Sequence, residues 1–313
     1  MARFLRTVFG AGADHRMFQP DVLRWKCLAP HPFWEGSRGY ALRYKGEIAA
    51  FGCAMPYRFL SGSGTVAGCN VIDWAASKNV PGTGLMLYRH IQTLAGTMIN
   101  VGGTADARRV LPANGFEVRA ELHHFTRVLR PLRHMLHAPA RDWKAPLRLA
   151  RDYRELARAT PTARPARASQ PITAFPDPAV TQQVVCERTP ELLAYVLACP
   201  AAAIESYGFD GGYFLLSRIG RECRIADLWI ASPREQDWAA AYAAAAAAAD
   251  TAAITAGVSQ PLQIAALRQA GYRETHSEPV FVLDPNARLE GRRDLALGFL
   301  ENDAFYWSGA QTG

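Results

Sequence analysis

An α/β fold present in two tandem copies is predicted, each copy a mixed, mostly antiparallel twisted sheet with helices on both faces. Three features of the 313-residue chain predict it. Strand-like and helix-like runs are interleaved from end to end. An apolar strand, a glycine turn and a helix follow one another within residues 71–87. The stretches on either side of a basic, proline-rich segment repeat the same signals in the same order.

After an opening helix, residues 39–44 and 47–54 read as a hairpin around Lys45 and Gly46. Residues 65–74 are a third strand. Leu85, Leu87, Tyr88, Ile91 and Leu94 fall in a helix-like pattern, which places a helix over 83–96. Residues 97–102 are a strand, and 105–113 a short helix stopping at Asn114 and Gly115. Residues 116–129 close the copy as its last strand.

In the second copy, Leu193–Pro200 echoes Leu23–Pro30. The run from Gly212 and Tyr213 to Gly220 is matched to that from Gly39 and Tyr40 to Gly46. Leu267, Gly271 and Tyr272 match Leu111, Gly115 and Phe116. The expected division is 1–136, a linker at 137–175, and 176–313.

Hydrophobic residues make up 49% of the chain, enough for a substantial core. No apolar run reaches membrane-spanning length, the alanine run 239–249 included, and the N-terminus lacks a secretory apolar core. A cytoplasmic location is expected. The six cysteines are scattered without CxxC or zinc-type spacing, so buried reduced thiols and no metal are expected.

The net charge of +7 is local. Residues 127–167 hold 11 Lys/Arg against 3 Asp/Glu, leaving 24 against 25 elsewhere. A general basic face, and with it DNA binding, is not supported. Proline- and alanine-rich stretches at 137–141 and 160–171 bracket a helix starting near Pro146. Leu149, Tyr153 and Leu156 fall on one face, with Arg148, Arg151 and Arg158 on the other. A docked connector with a solvated basic face is one reading; a membrane-surface or acidic-partner contact through 141–167 is the other.

The strand-turn-helix at 71–87 is a way to hold a diphosphate. Glycines let the backbone come close, and the free N–H groups of a first helical turn face an anion. The backbone of Val80, Pro81, Gly82, Thr83, Gly84 and Leu85 would form that cradle, Pro81 shaping the turn without offering an N–H. In the second copy, Ser232, Pro233 and Glu235 read as a capping box with proline at the first helical position. A side chain there takes the place an anion would need.

Asn79-Val80-Pro81-Gly82-Thr83-Gly84 after a strand, with the later Gly115-Phe116, resembles the GCN5-related N-acetyltransferase superfamily. The usual first position is Arg or Gln where this chain has Asn79; Lys78 or Arg89 offers a substitute charge. Leu23-Arg24-Trp25-Lys26 is similar to members from polysaccharide biosynthesis. The resemblance covers most of residues 20–131 and, more weakly, 185–285. It implies an N-acyltransferase that uses acetyl-CoA or another acyl-CoA, without a metal, on a small amine, an amino sugar being favoured. It also implies a bulge near Ile72–Ala75, where backbone groups including those of Trp74 and Ala75 face the thioester carbonyl.

Asp73 is the candidate base and Asn70 the candidate orienter of substrate or water. Trp25, Tyr57, Arg58 and His123 are candidate acceptor contacts. His123 and His124 alternate to opposite faces, which argues against a metal pair. The tyrosine that often serves as acid is replaced by Leu111, and by Leu267 in the second copy; Tyr88 or a histidine is an alternative donor. Two other readings stand: a non-catalytic tandem module that binds a ligand, and a Fem-like aminoacyl or peptidyl transferase. The aromatic tail 299–308 is expected to fold back onto the protein.

Overall fold

The computed structural model describes residues 1–61, 64–137, 143–158, 172–181, 184–289 and 295–307. Its helices are α1 (Ala2–Phe9), α2 (Pro20–Leu28), α3 (Thr83–Ala95), α4 (Ala105–Val110), α5 (Pro131–His137), α6 (Ala145–Arg158), α7 (Pro178–Thr181), α8 (Pro190–Leu197), α9 (Glu235–Ala248) and α10 (Pro261–Gln269). The strands are β1 (Gly39–Tyr44), β2 (Glu47–Ser61), β3 (Gly64–Ala76), β4 (Thr97–Val101), β5 (Glu117–Val128), β6 (Val184–Cys186), β7 (Ala203–Phe209), β8 (Gly212–Ile219), β9 (Glu222–Ile230), β10 (Ala253–Val258), β11 (Arg273–Leu283) and β12 (Leu295–Ala296).

All strands join one sheet in the order β12-β6-β2-β3-β4-β11-β5-β10-β9-β8-β7, with β1 paired to β2. The copies share this sheet by exchanging their last strands. β11 of the second copy pairs antiparallel with β4, β5 of the first pairs antiparallel with β10, and β5 and β11 pair with each other. The arrangement is twofold: β1-β2-β3-β4 on one side matches β7-β8-β9-β10 on the other. No local signal in a strand says which sheet it joins, so the sequence reading leaves this exchange open.

The topology also corrects the repeat alignment. Gly212 opens β8, the counterpart of β2, and not of β1. The counterpart of β1 is β7, joined to β8 by a turn at Asp210 and Gly211. The glycine and tyrosine at the start of both strands drew the match one strand out of register.

Side chains alternate across β2 and β3. Ala50, Ala54, Cys69 and Val71 pack with Leu87, Tyr88 and Ile91 of α3. Phe51, Cys53, Phe59, Val66 and Ile72 belong to the larger core with Leu5 of α1 and Val22, Leu23 and Trp25 of α2. Helices therefore cover both faces, and roughly 25 cal/mol per Å² of buried apolar surface favours each layer. Leu111 and Leu267 are buried in these cores and face no cleft.

Helix α6 lies where a helix near Pro146 is expected, but it docks differently. Tyr153 is exposed, while Asp152 is buried 3.6 Å from Arg273 on β11 and Glu155 lies at the same distance. Leu149 and Leu156 of the expected apolar face are half-buried, and the ion pairs from Asp152 and Glu155 add to their seating of the helix. Of the proline- and alanine-rich stretches expected at 137–141 and 160–171, all but His137 lies outside the described residues. No helix among the described residues is long and apolar enough to cross a membrane.

Candidate acyl-transfer site

β3 and β4 run parallel for three pairs only, Gly68 with Thr97, Cys69 with Met98 and Asn70 with Ile99. Beyond Asn70, β3 continues to Ala76 against β2 alone, and beyond Ile99, β4 follows β11. A seam opens between two neighbouring strands. Tyr57 crosses its closed end. Its hydroxyl accepts the Ile99 N–H at 3.2 Å, passing over Gly68, where a Cβ would press on the tyrosine ring at 3.1 Å.

The open edge of β3 is bulged. Cys53 pairs with Ile72 and Phe51 with Ala75, so Gly52 faces the extra residues Asp73 and Trp74. Asp73 takes the bulge conformation with φ 51°, the left-handed region unusual for a non-glycine. The bulge turns Ile72 and Asp73 both toward α2 and sends Trp74 to the α3 side. There the Trp74 ring lies 4.5 Å from Tyr88, and its Nε1 donates to Gly84 O at 2.9 Å.

At the mouth of the seam α3 begins. Gly82 is its N-cap at φ 82°, and no side chain caps the helix. Asn79, Pro81 and Gly82 are exposed, and nothing lies within 4 Å of a Cβ placed on Gly82. Gly84 serves packing instead: its Cβ would meet Ala76 Cβ at 2.9 Å. Thr83 is buried, its hydroxyl donating within 2.9 Å of Val80 O, so it anchors the turn from inside. The first amides of α3 point out of the helix unsatisfied, as an anion site requires. Lys78 is exposed beside them, while Arg89 is engaged by Asn114 at 3.1 Å.

Asp73 does not stand free in the seam. Its carboxylate forms a buried ion pair with Lys26 of α2, both side chains at most 2% exposed. Burial alone would lower the Lys26 pKa; the facing Asp73 carboxylate reverses this and the ammonium titrates above its usual range. A third charged group reaches the same place from the C-terminal tail. Asp303, half-buried, is pushed up to about 6, first by burial and then by the negative Asp73.

Asn70, the last residue of β3 paired with β4, donates its amide to Glu301 O at 3.3 Å and leaves Oδ1 buried without a hydrogen-bond partner among the described residues. Asn100 Oδ1 on β4 is likewise buried without a hydrogen-bond partner among the described residues, but alternation places it with Met98 on the α3 face of the sheet, opposite to Asn70.

The four expected acceptor contacts divide. Trp25 and Tyr57 line one small cavity with Lys26, Ile72, Tyr195 and Tyr306. Its cavity volume is ≈ 30 Å³, space for about two water molecules. Arg58 lies outside it, paired with Glu187 at 2.7 Å and stacked on Phe33 at 4.1 Å. His123 is in the middle of the sheet, 2.7 Å from Glu274.

The second copy parts its strands too, β9 and β10 pairing only at Cys223–Ile225. There the gap is filled. Gly298 bridges Val258, the Ser259 N–H donates to Leu297 O at 3.0 Å, and Phe299 covers Gly257, where a Cβ would collide. Buried Arg188 holds this plug by a bidentate pair with Asp227 (2.8 and 3.1 Å) and a further pair with Glu301. The helix start differs from the expected capping box. α9 begins at Glu235 with Arg234 as N-cap, so Pro233 stands outside the helix. Ser232 Oγ accepts from Arg234 N at 3.2 Å and donates to Asp237 at 2.5 Å.

Sequence reasoning finds the glycine turn and the bulge. It misses Lys26 as the partner of Asp73, and it misses Asp303. The density of aromatic residues around Asp303 is the one signal that its segment is structural.

No family model matches the chain, and no curated protein matches it. Solved structures do. A GCN5-related N-acetyltransferase from Anabaena variabilis matches with TM-score 0.54 and 13% identity over 93% of this chain and 71% of its own. The chain has the fold of the GCN5-related N-acetyltransferases. A putative acetyltransferase from Pyrococcus horikoshii shares it at TM-score 0.53 and 9% identity, over 98% of this chain and 92% of its own. So does the Saccharomyces cerevisiae N-myristoyltransferase solved with bound myristoyl-CoA, at TM-score 0.52 and 12% identity over 90% and 79%. The chain spans 63% of the length of a further such structure, from Kribbella flavida. At these identities the likeness is one of fold.

Proposed function

We propose that this protein is an acyl-CoA-dependent N-acyltransferase, with acetyl-CoA as donor and a small amine, an amino sugar by preference, as acceptor. The observation that carries the reading is the open β3/β4 seam leading from an uncapped α3 N-terminus to a bulge at Asp73 and Trp74. That an N-myristoyltransferase of the same fold has been solved with bound myristoyl-CoA supports it.

The amides of Gly82, Thr83, Gly84 and Leu85 hold the diphosphate. The unpaired edge of β3, near Trp74 and Ala75, faces the thioester carbonyl and stabilises the oxyanion that forms there. Asp303 takes the proton from the attacking ammonium. Asp73 serves by holding Lys26 and raising the basicity of Asp303, in place of acting as base itself. The small aromatic cavity beside Ile72 suits a short acyl group or the head of the acceptor. With Leu111 buried, the thiolate leaves without a tyrosine acid.

Isothermal titration with acetyl-CoA, followed by thiol release across a panel of amines, tests the reading. Absence of binding overturns it. A second reading, a non-catalytic ligand-binding module, is favoured by the buried Leu111 and Leu267 and the plugged second copy. Binding with no thiol release for any amine would select it. The Fem-like alternative has no observation in its favour among the described residues.

A further inference from the structure

The two exchanged strands carry a cluster that acyl transfer does not use. His124 on β5 pairs directly with His276 on β11, and Glu278 follows two residues along. Cross-strand pairing and alternation put all three side chains on one face. The extra residue Thr275, where the β11 register shifts, sets this alignment. The two imidazoles stack with centroids 4.1 Å apart, and His124 Nε2 lies 3.6 Å from Glu278 Oε2. One donor atom from each of the three lies within 4.8 Å of the others.

Hydrogen bonds decide which ring nitrogens carry lone pairs. Thr275 Oγ1 donates its single hydrogen to His124 O at 3.0 Å. At its 3.1 Å contact with His276 Nδ1 it must therefore accept, so that nitrogen is protonated and His276 Nε2 is free. His124 Nε2 is buried and lacks a hydrogen-bond partner among the described residues. Glu278 reaches the site across Gly102 at the end of β4, where any Cβ would collide with its carboxylate.

We propose that His124 Nε2, His276 Nε2 and the Glu278 carboxylate form a three-ligand site for a divalent transition-metal ion of the zinc class. Two imidazoles and one carboxylate are the donor set such ions take, with a fourth position left for water. Side-chain rotation alone draws the donors together, because both strands are fixed by hydrogen bonding within the sheet. A bound ion ties β5 to β11, the strand that each copy gives to the other.

The test uses the full chain, stripped with chelator and desalted. ZnCl2 is titrated calorimetrically and Co2+ followed by its visible absorption. One ion per chain is expected, with a Co2+ band of low-coordinate type. His276→Ala and Glu278→Gln should each weaken binding about tenfold or more, and Thr275→Val should also weaken it. His123→Ala, which removes a different ion pair, should bind as the parent does. His276 is exposed, so its variant is expected to keep the parent's circular dichroism. No saturable binding by the parent, or binding that survives both His276→Ala and Glu278→Gln, overturns the proposal. Neither result bears on acyl-CoA binding.

Discussion

Trp25 and Tyr195 stack on each other with ring centroids 4.8 Å apart and planes 14° from parallel. They occupy the same place in the two copies, on helices that open at Pro20 and Pro190. Trp25 Nε1 donates to Tyr195 O at 3.1 Å, and Arg38 lies against the tyrosine ring and hydroxyl. The two copies therefore meet through equivalent aromatics as well as through exchanged strands. Trp25→Ala should cost about 3–5 kcal/mol of unfolding free energy. A double-mutant cycle with Tyr195→Ala should show coupling of about 0.5–1.5 kcal/mol by urea denaturation. Strict additivity would mean the stack contributes nothing of its own.

The Lys26–Asp73 pair predicts an asymmetry. Lys26→Met or Asp73→Leu alone leaves an unpaired buried charge and should destabilise by about 3–5 kcal/mol. The double variant should recover most of that loss, because the desolvation cost of both charges goes with them. Thermal and urea unfolding of the three proteins measures this directly. A double variant as unstable as the sum of the singles would show that the pair is not isolated from other charges.

Gly82 and Gly84 should separate binding from packing. Gly82 faces open space, so Gly82→Val should weaken acyl-CoA binding at least about tenfold while costing only the 1–2 kcal/mol of a left-handed residue. Gly84→Val forces the helix off Ala76 and should lower both stability and affinity. Calorimetry beside melting curves distinguishes the two. Unchanged affinity in Gly82→Val would put the diphosphate elsewhere.

Asp303 sets a pH dependence. Its carboxyl is raised from 3.8 to about 6 in the folded protein, so between these values the native state keeps a proton that the unfolded chain has lost. This group's contribution to stability therefore falls as pH rises from about 4 to about 6. Asp303→Asn should flatten that slope in melting temperatures recorded over the same interval. As base, the carboxylate form is the active one, so kcat/KM should rise with pH through about 6. A rise that persists unchanged in Asp303→Asn would assign the proton to another group.

Much of the first copy is legible in the chain. The helix at 83–96 is Thr83–Ala95, the short helix at 105–113 ends at Gly115 in a left-handed cap, and the strands agree within two residues at each end except β2, expected over 47–54 and running on to Ser61. Periodicity and glycine placement are local, and so they survive folding. The bulge near Asp73 was also expected at its place. The ion-pair partner of Asp73 was not, because Lys26 comes from a helix 47 positions earlier in the chain.

The sequence by itself determined the order of strands and helices, the duplication, and the glycine turn at an uncapped helix start, all carried by neighbours within a few residues. Only the tertiary structure decided that the copies trade their last strands, that the tail seals the second seam while the first stays open, and that Asp303 joins Lys26 and Asp73. Pairing partners and buried charges are chosen by the free energy of the whole packed sheet, and no stretch of the chain contains that information alone.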